Sequence, residues 1–216
     1  IAAIRHFLCH QKLETIKGQL IFMPMTNYPA FCAVSRVSPL DNLNLNRIFP
    51  GNPVGSPTEQ IASFIDTQIL PRVDFVLDFH TGASKSDWIP CTFIYGIKNN
   101  LMQEKVDAVS CFGTDYSMVI PGGGSAGSLL SACEKHNVPS ISTEIRGGAT
   151  LVSEAFHIAL AGLYRVLKLR GVLEEIPIRS HDSGTSFLQF QKIESLMAPI
   201  DGMLVPEYTL GEKVDE

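Results

Sequence analysis

At 216 residues, with 45% hydrophobic and 18% charged side chains, the chain can bury one sizeable core and has the make-up of a globular protein, not a disordered or fibrous one. A formal net charge of −5 gives no electrostatic reason to expect nucleic acid or an anionic membrane as partner. No apolar run approaches the roughly 20 residues that span a bilayer, and no leader is evident. A cytoplasmic protein is expected, with reduced thiols at Cys9, Cys32, Cys91, Cys111 and Cys133.

Apolar Ile1, Ile4 and Leu8 at helical spacing predict an amphipathic first helix. It has no N-cap and no strand before it, so the sequence is expected to enter a longer protein midway. His6, His10 and Glu14 repeat at i, i+4 and i+8 along this helix; the spacing suits a metal, but more often marks a solvated polar face. Residues 19–25 predict a strand. Residues 57–70 predict a helix with apolar Ile61, Phe64, Ile65 and Ile69, followed by strands at 73–79 and 91–96. A helix over 101–112 is closed by Gly113, then come a short strand at 117–120, a helix at 128–136 and a buried strand at 139–145. A long helix at 151–169 stops before Gly171.

Strands alternating with helices predict an α/β fold: a mixed, mostly parallel sheet with helices on both faces. The polar stretch 179–185 is the expected boundary, separating a domain over 1–178 from the beginning of a small β domain over 186–216. In that second part, Ala198-Pro199-Ile200-Asp201-Gly202-Met203-Leu204-Val205-Pro206 and Leu210-Gly211-Glu212-Lys213-Val214 resemble half of a biotinyl/lipoyl-like barrel. A chain stopping at Glu216 would leave such a barrel with open edges. No lysine stands at the modification turn, so no attached biotin or lipoate is expected.

Residues 74–82, Asp-Phe-Val-Leu-Asp-Phe-His-Thr-Gly, run an apolar strand into His80 and break at Gly82. Ligands of open α/β sheets bind there, outside the carboxyl end of a strand. Asp78 lies two residues before His80, so the pleat sends both side chains to one face. A carboxylate beside an imidazole suits a metal ligand whose tautomer is fixed by its partner, although a strand-end histidine alone is more often structural. Glu144 likewise ends an apolar strand, with Gly147-Gly148 just beyond to allow close substrate approach. By itself it reads equally as a surface carboxylate paired with Arg146.

Four segments, taken together, carry a resemblance. Asp41-Asn42-Leu43-Asn44-Leu45-Asn46-Arg47-Ile48-Phe49-Pro50-Gly51 resembles the Asn-Leu-Asn-Arg-x-Phe-Pro-Gly segment of the succinylglutamate desuccinylase/aspartoacylase family, a branch of the zinc carboxypeptidase-like hydrolases. Asp78-Phe79-His80-Thr81-Gly82 is similar to its Asp-Leu-His-Thr-Gly, and residues 138–148 to the strand ending in its catalytic glutamate. Asn27-Tyr28-Pro29-Ala30-Phe31 with Arg36 is similar to its Asn-x-Pro-Ala-Phe…Arg stretch. The resemblance implies a zinc-dependent deacylase, one ion per complete protein, that cleaves the amide of an N-acyl amino acid or small derivative. It assigns His80 as third zinc ligand oriented by Asp78, and Glu144 as general base and then acid. Asn46 and Arg47 would clamp the substrate carboxylate, with Arg36 as a second anion contact.

Two departures qualify this. The family's Gly-x-His-Gly-x-Glu segment, which supplies its first two zinc ligands, does not occur in this sequence, so the chain alone is expected to be inactive and to hold zinc weakly or not at all. Where aspartoacylase carries a further substrate arginine, ten residues before its catalytic glutamate, this chain has Glu134, which counts against N-acetylaspartate. A carboxypeptidase acting on peptides and a metal-free degenerate or binding domain remain open, as does a homo-oligomer. Gly123-Gly124-Ser125-Ala126-Gly127 satisfies Gly-x-Ser-x-Gly between a strand and a helix, which would make Ser125 a nucleophile. The later histidines His157 and His181 are poorly placed for a triad, and a flexible glycine loop is the simpler reading.

Overall fold

The computed structural model describes residues 1–82, 84, 86–96, 99–122, 124–179, 184–189, 197–202, 205 and 207–212. Five strands form one sheet in the order β1-β4-β2-β3-β5, with β1 at Val76–His80, β2 at Cys91–Gly96, β3 at Tyr116–Pro121, β4 at Ser140–Glu144 and β5 at Ser186–Gln189. β1 and β4, β2 and β3, and β3 and β5 pair in parallel, while β2 runs antiparallel to β4. The helices are α1 (Ala2–His10), α2 (Tyr28–Cys32), α3 (Pro57–Phe64), α4 (Met102–Phe112), α5 (Leu129–Lys135) and α6 (Ser153–Leu169). The expected mixed, mostly parallel α/β sheet is therefore the observed one.

The pleat of β1 decides which side chains become core and which become site. Phe75, Leu77 and Phe79 pack against the α4 and α6 side, where Ile94, Val109, Phe112, Ile141, Ile145 and Val166 are buried. Val76 turns the opposite way, into the cluster of Phe49, Ala62, Ile65, Leu70, Ala132, Cys133 and Val138 built from α3 and α5. Alternation then puts Asp78 and His80 on the α3/α5 face. Ile141 and Ile145 do the same for β4, so Glu144 shares the face of His80. A third cluster seats α1 on α6 through Ala3, Phe7, Leu160, Leu163 and Tyr164. Phe7 is completely buried there, a burial worth about 1.5–3 kcal/mol.

Helix ends follow their sequence signals. Gly113 closes α4 in the left-handed region at φ 91°, and Gly171 turns the chain after α6 at φ 70°. Ser128 caps α5 by accepting the Ser131 N–H at 3.2 Å. The expected helix 57–70 is shorter: regular α geometry covers Pro57–Phe64, a π-turn follows over Ile65–Ile69 and a 3-10 turn over Leu70–Arg72. Pro71 has no N–H to continue the ladder, which accounts for the tightened end.

Two expectations need correcting. Residues 19–25 are not a strand: Leu20 and Phe22 do pack on the α1/α6 core, and Ile21, Met23 and Met25 are exposed. The alternation is real, but among the described residues the segment has no ladder partner. Conversely, α2 was not anticipated; Asn27 caps it, accepting from the Ala30 N–H at 3.4 Å, with Pro29 in its first turn. Ser186–Gln189, expected to open a small β domain, adds to the edge of the main sheet beside β3. Beyond it the described residues contain no strand; Thr209–Glu212 forms a turn, with the Glu212 N–H donating to the Thr209 carbonyl at 3.0 Å. Met203, Leu204, Pro206, Lys213 and Val214 of the barrel-like segment lie outside the described residues, as do His181 and Gly123. Among the described residues no helix is long and apolar enough to cross a membrane.

Candidate active site

β1 and β4 end side by side, with His80 in register with Glu144. The junction is locked by backbone and side-chain bonds: the Ile145 N–H donates to the His80 carbonyl at 3.1 Å, and the His80 N–H to Thr143 Oγ1 at 3.1 Å. His80 Nε2 lies 2.8 Å from Asp78 Oδ2, as the two-residue spacing predicts. Burial alone would lower the His80 pKa, but the Asp78 carboxylate, its hydrogen bond and the Glu144 charge outweigh it and raise the pKa above the ordinary imidazole value. Burial raises the pKa of Glu144, and repulsion from Asp78 adds to that against the opposing pull of His80 and Arg36. Glu144 Oε2 is buried and has no hydrogen-bond partner among the described residues. A buried carboxylate oxygen left unbonded is costly and calls for something to bind.

The loop 41–51 delivers Asn46 to this pair. Asp41 ties the loop to the first turn of α3, accepting from the Thr58 N–H at 2.7 Å, the Thr58 hydroxyl at 2.9 Å and the Leu43 N–H at 3.1 Å. Desolvation works against ionising Asp41, yet these donors hold its pKa down at about 2. Asn44 Oδ1 then accepts the Asn46 N–H at 3.0 Å. Asn46 Oδ1 accepts the Leu129 N–H, at the start of α5, at 2.7 Å, and its Nδ2 lies 3.4 Å from His80 Nε2. On its far side the loop rests on the glycine run: a Cβ at Gly127 (φ 79°) would sit 2.3 Å from the Arg47 carbonyl oxygen, and the Phe49 N–H donates to the Gly127 carbonyl at 3.0 Å.

A cavity of about 330 Å³ opens over these groups, lined by Arg36, Asn44, Asn46, Asp78 and His80 on its polar side and by residues such as Met25, Phe31 and Leu129 on its apolar side. The structure thus brings together Arg36, Asn46, Asp78 and His80, with Glu144 adjacent. Arg47 is exposed, donates through Nη1 to the Asn46 carbonyl at 2.6 Å, and is not on the lining. Glu134 is not there either; its carboxylate is bound to Lys105 Nζ at 2.6 Å. Arg146 bonds Asp87 at 2.8 Å and leaves Glu144 alone. Gly147 is required by its own chain, since a Cβ there would lie 1.9 Å from the Ser86 carbonyl oxygen.

Residues that sequence reasoning passed over are Asn44, Thr143, Gly127 and the first N–H of α5. Asn44 stood inside the quoted motif, and an asparagine two before another is an Asx-turn signal. Gly127 was read as flexible, and only tertiary contact reveals why it must lack a side chain. Neither a Ser125 nucleophile nor a His6/His10/Glu14 metal site gains support. Ser125 is exposed and has no hydrogen bond to an imidazole among the described residues. The rings of His6 and His10 stack at 4.1 Å, with His10 Nδ1 2.8 Å from the His6 carbonyl oxygen. Among the described residues no group of three or more His, Cys, Asp or Glu side chains could hold a metal. A catalytic zinc takes about three protein ligands, so His80 with Asp78 behind it fits one corner of such a site and does not complete it.

The deacetylase of N-alpha-acetyl-L-2,4-diaminobutyric acid from Halomonas elongata is 32% identical over 175 residues, covering 81% of this chain and 51% of that protein. The chain therefore spans about half the length of the curated relative it matches. A solved succinylglutamate desuccinylase/aspartoacylase from Rhodobacter sphaeroides superposes with a TM-score of 0.87 at 31% identity, over 99% of this chain and 65% of that one. The product-bound ectoine utilization protein EutE of Ruegeria pomeroyi gives a TM-score of 0.81 at 33% identity, over 88% of this chain and 58% of that one. The family model for the succinylglutamate desuccinylase/aspartoacylase catalytic domain matches residues 1–170. With that match, the chain belongs to the succinylglutamate desuccinylase/aspartoacylase family.

Proposed function

We propose that the natural full-length protein is a zinc-dependent deacylase that cleaves the amide bond of an N-acyl amino acid or a small derivative, in the cytoplasm. One observation carries this reading: two neighbouring parallel strands end in register on His80 and Glu144, with a buried, unbonded carboxylate oxygen on Glu144. Beside them a cavity holds an arginine and an asparagine able to receive an anion. The deacetylase activity named for the Halomonas elongata relative supports the same class. The free thiols at all five cysteines suit a reducing compartment.

Zinc, when bound, would polarise a carbonyl and acidify its water; His80 would be one of its ligands, held in one orientation by Asp78. Among the described residues no group of three ligating side chains completes such a site. Glu144, its pKa raised by burial, takes a proton from water and returns it to the leaving amine. Arg36 and the Nδ2 group of Asn46 receive the substrate carboxylate at the cavity wall, joined by Arg47 once its guanidinium turns from the Asn46 carbonyl. The test is release of free amine from a panel of N-acyl amino acids by the full-length protein. Glu144→Gln keeps the shape and removes the proton carrier, and should cost roughly 10²–10⁴-fold in turnover. Near-wild-type turnover in that variant would remove Glu144 from the chemistry.

A further inference from the structure

Two buried polar side chains outside the cavity, Tyr95 and Ser128, lie on a path that ends inside it. Tyr95, 6% exposed at the end of β2, shares a 2.8 Å hydrogen bond between its hydroxyl and Ser128 Oγ. Ser128 is the N-cap of α5 and is 4% exposed. The next N–H along, from Leu129, donates to Asn46 Oδ1 at 2.7 Å. That bond identifies the oxygen of the Asn46 amide and so fixes its NH2 group toward the cavity, 3.4 Å from His80 Nε2.

The opposite end of α5 is anchored to the same strand. Lys105, fully buried, donates to the Tyr95 carbonyl at 2.9 Å and to Glu134 Oε1 at 2.6 Å. Glu134 Oε2 accepts from Asn99 Nδ2 at 2.9 Å, so both carboxylate oxygens are occupied. Space for the tyrosine ring is built in: a Cβ at Gly124 (φ 61°) would sit 2.1 Å from it. Tyr95 does not line the cavity and touches no reacting group. An apolar ring would fill this slot equally well; the hydroxyl adds one thing only, its bond to the first turn of α5.

We propose that Tyr95 is a positioning residue for substrate binding: through Ser128 it sets the first turn of α5, whose Leu129 N–H holds the Asn46 amide with its donor group facing the substrate carboxylate. This rests on the reading of Asn46 as a carboxylate contact. Lys105 and Glu134 fix the other end of the same helix, which gives the substituted Glu134 a structural duty.

The experiment is a double-mutant cycle in the natural full-length protein, read as KM and kcat for an N-acyl amino acid, with thermal unfolding as control. Tyr95→Phe should raise KM about three- to ten-fold, the scale of one lost neutral hydrogen bond, with kcat changed by less than about two-fold. In an Asn46→Ala background the same substitution should change KM by less than about two-fold, because its effect passes through that amide. Ser128→Ala breaks the link from the other side and also removes the cap on the Ser131 N–H, so it should raise KM at least as much as Tyr95→Phe; it serves in the cycle if Tyr95→Phe does not fold. Full additivity of the Tyr95 and Asn46 effects, or a loss confined to kcat, overturns the inference while leaving the site intact. A harmless Asn46→Ala overturns the reading of the site, and the inference with it.

Discussion

Asp41 and the two arginines illustrate what single residues contribute. Asp41 titrates at about 2 in the folded protein, against an ordinary value of 3.8. A depressed folded-state pKa adds stability that is complete above the unfolded value and lost as pH falls through the folded one. Urea unfolding of the wild type should therefore weaken between about pH 4 and pH 2 partly through this group, and Asp41→Asn should flatten that part of the profile. Parallel profiles for the two proteins would exclude Asp41 as a source of acid sensitivity. The arginines are separable by substrate. A bidentate contact to a carboxylate is worth roughly 1.5–3 kcal/mol, so Arg36→Ala or Arg47→Ala in the full-length protein should lower kcat/KM for N-acyl amino acids about ten- to a hundred-fold. Arg47→Lys should rescue poorly, because a point charge cannot reproduce the fork. Substrates with the carboxylate masked as an amide should lose little more on either mutation. Equal losses on acid and amide would assign that arginine to the fold instead. The structure favours Arg36 as the larger contributor, since it already lines the cavity and Arg47 must first leave its bond to the Asn46 carbonyl.

Elements were legible where local signals agree with tertiary demand. The strand at Cys91–Gly96 and the helix ends at Gly113 and Gly171 follow from an apolar run and from glycines in the left-handed region. Asp78 and His80 share a face through the period of two alone. Residues 19–25 failed because alternation reports which side is buried, not whether a neighbouring strand exists to pair with. Arg47 was legible as a polar motif residue, but its rotamer was not. Close approaches between elements leave no local signal in a sequence, and Gly162 is the sharpest case. It sits in α6, where a Cβ would meet the Phe112 ring of α4 at 2.4 Å, and that ring is fully buried. Alanine gains up to about 1 kcal/mol of helix propensity, while overpacking a closed core costs about 1–3 kcal/mol. Gly162→Ala should therefore lower stability by roughly 1–2 kcal/mol in urea titration. An unchanged or raised midpoint would mean that α4 and α6 slide apart at little cost.

At the scale of the molecule, the sheet brings the Glu144 carboxylate and the Asp78-bonded His80 imidazole to one face beside a cavity lined by Arg36 and Asn46, and the zinc of the proposed reaction would find few ligands there. His80 would be its single family-matched ligand, with Asp78 bonded at Nε2, and no group of three ligating side chains exists among the described residues. A lone imidazole binds zinc far more weakly than the roughly three-ligand set of a catalytic site. The 216-residue chain, purified and dialysed against metal-free buffer, should thus retain well under one equivalent of zinc by elemental analysis. The natural full-length protein should retain about one. His80→Ala should abolish that retention in the full-length protein, whereas Glu144→Gln should leave it unchanged, since Glu144 is assigned to the proton and not to the ion. One tightly held zinc on the short chain, released by His80→Ala, would mean that the chain completes the site from its own residues. Retention that survives His80→Ala in the full-length protein would move the metal away from this strand end, and the deacylase reading would lose its centre.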